Sequence, residues 1–212
     1  MNMNRKWMLV VAAGLLGLAA VPGARAAEMT EKEKALASPY PNDFGPDRLP
    51  EDALKAYPAN VQDGYHFLIG ERKVEGKWKS TGGKSGCVQC HAASRPLNSR
   101  FVEPDGGTDD AKQEAALAVL KKNNPEVFKD DSVWQPEVKV WNRYVKRMMN
   151  KPGCSIEKAE GKAIWEFLEY DGTRRKTGAN AAKWAESRKK LVDELKEKNP
   201  KRYEELKAAN DL

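Results

Sequence analysis

The stretch Cys87-Val88-Gln89-Cys90-His91 decides how the rest of the chain is read. Two thiols separated by two residues can each add across a vinyl group of a haem, and the imidazole that follows directly is then held under the iron as its proximal ligand. The same thiol spacing suits a thioredoxin-like dithiol or half of a zinc site. A structural zinc needs about four ligands, and outside the motif the chain offers one cysteine, Cys154, and one histidine, His66, neither at zinc-finger spacing. The motif therefore points to one covalently attached haem c, with Cys87 and Cys90 as the thioether residues and His91 as an axial ligand of the iron.

Working outward, the N-terminus reads as a secretory signal over residues 1–26. It has a basic start at Arg5 and Lys6, an apolar run from Trp7 to Val21, and Ala24-Arg25-Ala26 as a small-x-small cleavage site, with cleavage expected after Ala26. The apolar run falls short of the ~20 residues that span a bilayer, so no stable membrane insertion is expected once the signal is removed. Covalent haem is attached on the outer side of an energy-transducing membrane, so signal and motif together predict a periplasmic protein. Taking Arg5, Lys6 and Arg25 from the 37 Lys+Arg leaves 34 against 31 Asp+Glu, a net charge of +3. Two haem propionates would largely cancel that excess, and nothing in the charge calls for a nucleic-acid partner.

Residues 27–60 are acidic and interrupted by Pro39, Pro41, Pro46, Pro50 and Pro58, which predicts an irregular arm with Tyr40, Phe44 and Tyr57 as anchors. The cluster Gly64-Tyr65-His66-Phe67-Leu68-Ile69-Gly70 suits a short helix or a strand, and the alternation from Arg72 to Ser80 around Gly76 suits a small hairpin. Gly82, Gly83 and Gly86 lead into the motif. An iron-bound histidine needs an acceptor for its other ring nitrogen, and a backbone carbonyl near Pro96 is the expected one.

Three amphipathic helices follow. The first spans 109–122, with Asp109 and Asp110 at its start and Lys121 and Lys122 at its end, matching the helix dipole. A connector containing Trp134 precedes the second, over 138–149, in which Trp141, Tyr144, Val145 and Met148 share one face. Pro152-Gly153 ends it, and Ser155 is placed to cap the third, over 156–170, with Ile156, Ala163, Ile164, Phe167 and Leu168 on its inward stripe. A basic turn at Arg174, Arg175 and Lys176 and a charged helical tail around Leu191, Val192 and Leu195, broken by Pro200, complete the chain. The tail is expected to be solvated or peripherally packed, without a core of its own. Cys154 is expected as a small buried hydrophobe or as a thiol joining two subunits.

This arrangement resembles a monohaem c-type cytochrome with a class I-like domain. The segment Val145-Lys146-Arg147-Met148-Met149-Asn150-Lys151-Pro152-Gly153, followed by Ile156 and Ile164-Trp165-Glu166-Phe167-Leu168, is similar to the "RM…PG" segment that precedes the last helix in bacterial members. The resemblance covers roughly residues 61–170. The Gly-rich stretch before the motif, the Pro-rich arm and the charged tail have no counterpart in it. It implies a mainly α, haem-wrapping domain over residues 61–172, with an irregular arm over 27–60 and an extra helical tail over 173–212.

The sixth iron ligand decides the chemistry. Met1, Met3 and Met8 lie in the signal and Met29 beside its cleavage site, so the mature chain offers Met148, Met149 and His66, with lysines as remote candidates. The resemblance implies Met148, with Met149 and His66 as the alternatives; Trp141 and Val145 on the Met148 face would give a haem edge apolar cover. An iron closed by His91 and Met148 favours electron transfer. The resemblance thus implies a periplasmic carrier of single electrons between redox protein partners, not an enzyme. The alternatives are a haem enzyme or gas-binding protein with an open distal site, and a dedicated electron-transfer subunit of a larger oxidoreductase.

Overall fold

The computed structural model describes residues 48–105, 107, 109–125, 128 and 138–208. The expected signal, the arm before residue 48 with Tyr40 and Phe44, and Trp134 lie outside them. Among the described residues the chain is mainly helical, with eight α-helices and a single two-stranded sheet. None of these helices is long and apolar enough to cross a membrane.

Pro50 and Pro58 each stand immediately before a helix, α1 (Glu51–Lys55) and α2 (Ala59–Leu68), where a missing N–H leaves no bond unmade. The aromatic cluster from Gly64 is thus the second half of α2. The hairpin follows as its alternation predicts: β1 (Glu71–Val74) pairs antiparallel with β2 (Lys77–Ser80), Glu71 opposite Ser80 and Val74 opposite Lys77. The motif itself forms a single 3₁₀ turn over Cys87–Gln89, and α3 (Ser94–Leu97) comes soon after.

Helix α4 (Asp110–Asn123) starts where its acidic residues place it, with Asp109 accepting from the Lys112 N–H at 3.1 Å. Helices α5 (Val140–Met149), α6 (Lys158–Lys176), α7 (Ala181–Lys198) and α8 (Pro200–Ala208) complete the chain.

The core forms where α2 crosses α6. A Cβ at Gly64 would lie 2.0 Å from the Ala163 carbonyl oxygen and 2.7 Å from Phe167 Cβ, so the two helices meet backbone to backbone only because residue 64 has no side chain. Around that crossing Leu68, Ile164 and Phe167 are wholly buried, each contributing roughly 1.5–3 kcal/mol relative to exposure. Tyr65 packs on Phe167 at 5.4 Å, and α5 adds Trp141 and Val145 to the same core.

Three sequence expectations are corrected. Ser155 does not cap α6: Glu157 is the N-cap, in a reciprocal capping box with Glu160, whose carboxylate accepts from the Glu157 N–H at 2.9 Å. The basic residues 174–176 are the last turn of α6 and not a separate turn. Arg175 pairs with Asp171 one turn back (2.6 Å), and the buried Lys176 amine donates to the Phe101 carbonyl at 2.9 Å, which carries the helix past Gly172.

The tail, finally, is folded. Pro200 opens α8, behind Asn199, whose side chain accepts from the Arg202 N–H at 3.2 Å. Leu195 and Leu206 are then buried together against Tyr203, a small core of the α7–α8 pair.

Candidate cofactor site

The motif turn is brought to the core by Gly86. At φ +71°, a Cβ there would lie 2.3 Å from the Phe67 carbonyl oxygen, so glycine alone lets the chain pass the end of α2 and present Cys87. Gln89 then fastens the turn. Its Nε2 donates to the Gly153 carbonyl (2.6 Å) and its Oε1 accepts from the Ser155 N–H (3.1 Å), while the Ser155 hydroxyl donates to the Lys84 carbonyl (2.8 Å). The residue expected to cap a helix instead ties the motif to the segment that follows α5. Arg72 of β1 reinforces the tie by donating to the Ser155 carbonyl at 2.9 Å.

Between the motif and the helices lies a cavity of about 410 Å³, within the ~300–1,000 Å³ usual for small-molecule sites. Cys87, Cys90 and His91 line one part of it. The α5 face of Trp141, Tyr144, Val145 and Met148 lines another, and Ile156, Ile164 and Leu168 add apolar surface from α6 and its approach. The periodicity of α5 thus places its shared face on the cavity.

Cys154 also borders the cavity, close enough to Cys87 for their charges to interact, and the three cysteines are free thiols. Yet no three His, Cys, Asp or Glu side chains among the described residues come together as a set that could hold a bare metal ion. Burial pushes the Cys87 thiol up to about 12.

His91 is half-buried, with Nδ1 2.9 Å from the Ala92 carbonyl oxygen. Donation from Nδ1 places the ring's lone pair on Nε2, the form that ligates a metal. The acceptor is Ala92 and not a carbonyl beside Pro96; the Pro96 carbonyl takes the Ser99 hydroxyl at 3.1 Å.

The other candidate ligands lie elsewhere. His66 donates from Nδ1 to the Glu71 carboxylate (2.7 Å) and stacks on Trp78 at 4.3 Å, over the hairpin. Met149 is turned toward α6, its sulfur lying where a Cβ on Gly161 would come within 2.3 Å. Neither borders the cavity. The structure therefore brings together Cys87, Cys90, His91 and Met148 and leaves Met149 and His66 apart.

Several residues at or behind the site escape sequence reading. Five cations, Arg95, Arg100, Arg147, Lys151 and Arg188, border the cavity and no carboxylate among the described residues does. That balance suits an anionic occupant. Behind α5 lies Glu103, wholly buried. Its carboxylate accepts from the Trp141 N–H (2.7 Å), the Asn142 N–H (3.4 Å), Trp165 Nε1 (3.1 Å) and Gln113 Nε2 (3.2 Å).

Burial raises the Glu103 carboxyl, and these four donors pull against it. The carboxylate thereby terminates the N-terminal turn of the Met148 helix, directly after Lys139 in its left-handed conformation (φ +60°). A charged residue three positions from Arg100 in a Pro-containing loop reads as surface; only the fold reveals its donors.

The residues present fit a haem. They supply two thiols for the vinyl groups, an imidazole in the ligating tautomer, a thioether on the same cavity, apolar walls for the ring and cations for the propionates. Set against protein-family models, curated proteins and solved structures, the chain has no match.

Proposed function

We propose that the chain is a periplasmic monohaem c-type cytochrome that carries single electrons between redox protein partners. The observation that carries this reading is that the motif residues Cys87, Cys90 and His91 and the sequence-distant Met148 border one apolar cavity together with five cations and no described carboxylate.

In this reading Cys87 and Cys90 would hold the haem covalently, and His91 through Nε2 and Met148 through its sulfur would be the residues that hold its iron. Bound there, haem supplies a one-electron couple. Trp141, Val145, Ile164 and Leu168 keep water from the ring, which together with the axial pair sets the potential. Gln89 and Glu103 hold the two ligand-bearing segments in place, so the site needs little reorganisation between oxidation states. The domain wraps the cofactor in the manner of a class I cytochrome, and the signal over residues 1–26 delivers it to the compartment where the haem is attached.

The test is optical. The purified mature protein, run on a denaturing gel, should retain covalent haem, and both ferric and ferrous spectra should be low-spin and unchanged by carbon monoxide. A ferrous spectrum that shifts on adding carbon monoxide would favour an open-site haem enzyme or gas-binding protein, and a chain free of covalent haem would remove the reading altogether.

A further inference from the structure

The hairpin is fixed by one face and works through the other. Side chains alternate along β1, so Glu71 and Lys73 share a face and Arg72 points away from it. The first face is bound to α2. Glu71 accepts from His66 (2.7 Å), the Lys73 amine donates to Asp63 (3.1 Å), and Trp78, opposite Lys73, stacks on His66 at 4.3 Å and meets Phe67 edge-on at 5.2 Å. Arg72 therefore projects from a rigid base.

Its guanidinium reaches the segment between α5 and α6. Nη2 donates to the Ser155 carbonyl (2.9 Å) and to the Glu160 carboxylate (3.0 Å), and Nε lies 2.8 Å from the other oxygen of that carboxylate. Glu160 also closes the capping box of α6, so a single arginine joins the hairpin, the segment and the start of α6. Residues 150–157 depend on such bonds. None of them is buried, while Lys151, Cys154 and Ile156 border the cavity, and the Lys151 N–H donates to the carbonyl of Met148 itself at 3.1 Å. A segment held by polar contacts near solvent opens more readily than a packed one.

We propose that the hairpin is a clasp on this segment, with Arg72 as a positioning residue that keeps Met148 on the iron. The inference rests on the haem reading above. With the clasp engaged, residues 150–157 stay closed over the cavity and hold the end of α5 in place. With it released, Gln89 still ties the segment to the motif, but the segment opens more often and Met148 yields its place to an outside ligand. The apparent affinity of such a ligand scales with the fraction of molecules that are open, so it reads the clasp directly.

The experiment titrates imidazole into the ferric holoprotein of wild type, Arg72→Gln and Leu195→Ala, following loss of the near-infrared sulfur-to-ferric band, with the urea midpoint of each measured alongside. Arg72→Gln should bind imidazole about fivefold more tightly, the worth of roughly one hydrogen bond made near solvent. Leu195→Ala, in the separate core of α7 and α8, should lower the urea midpoint and leave the imidazole affinity as in wild type. An Arg72→Gln affinity within about twofold of wild type would overturn the proposal, as would an equal tightening in Leu195→Ala, which marks general loosening.

If Arg72→Gln yields no holoprotein, Arg72→Lys takes its place, keeping a cation beside Glu160 and giving up the fork. Tighter imidazole binding there supports the proposal and unchanged binding overturns it. A wild type without covalent haem is a separate outcome: it would overturn the haem reading, and this inference with it, whereas an unchanged affinity in a haem-bearing Arg72 variant overturns this inference alone.

Discussion

The two walls of the cavity are built by different physics. The motif wall, from Gly82 to Ser99, has one 3₁₀ turn and one short helix, and is held by individual hydrogen bonds: Gln89 to Gly153 and Ser155, Ser155 to Lys84, His91 to Ala92. The helical wall, α5 and α6, is held by close packing around Gly64, Ile164 and Phe167, with a single carboxylate, Glu103, behind it. A wall made of hydrogen bonds can present reactive side chains that regular helices would bury. A packed wall can hold a weak thioether donor in place without help from charge.

If this division holds, damage to the packed wall should cost most. Gly64→Ala would drive a methyl into the Ala163 carbonyl, and is expected to destabilise the protein by about 3 kcal/mol or more, read as a fall in the urea midpoint. An effect below about 1 kcal/mol would mean that the crossing can open, and the contrast between walls would weaken.

Next comes Glu103→Ala, which leaves four N–H donors, three of them buried, without their acceptor and should cost about 2–3 kcal/mol by the same measurement. It should also move the ferric spectrum, because the Met148 helix loses its N-terminal anchor. A destabilised variant with an unchanged spectrum would separate Glu103 from the distal ligand.

Gln89→Ala on the motif wall should cost less, about 1 kcal/mol, since its bonds lie nearer solvent. Covalent haem should still form, and a loss matching that of Gly64→Ala would erase the distinction.

The gentlest expected change is one of slope. Burial, and then the charge of Arg175, hold the Lys176 amine well below the usual 10.5, so between that lowered value and 10.5 the unfolded chain binds more protons than the folded one. Stability contributed by this group therefore rises with pH through that window and is lost as the pH falls. Replacing Lys176 by Met should flatten the alkaline rise in the urea midpoint; an unaltered slope would show that Lys176 is charged throughout.

Much of this was legible in the sequence where the determinants are local. The hairpin shows in its alternation about Gly76, the start of α4 in Asp109, and the cavity face of α5 in the spacing of Trp141, Tyr144, Val145 and Met148. Of the candidate site, the cysteines and His91 announce themselves by spacing. Glu103 and Arg188 do not, because an isolated charge reads as solvated until the fold brings its partners to it, 38 residues away for Trp141 and 90 for Asn98. Ser155 misleads for the same reason: three residues before a helix it reads as a cap, but its partners are Lys84 and Gln89 in the motif wall.

The most direct test of the central claim, that Met148 of the packed wall closes the iron that His91 of the motif wall holds, is the near-infrared spectrum of the ferric holoprotein beside that of Met148→Ala. The wild type should show the sulfur-to-ferric charge-transfer band, and Met148→Ala should lose it while retaining covalent haem. A wild-type spectrum without the band, or one that Met148→Ala leaves unchanged, would contradict it.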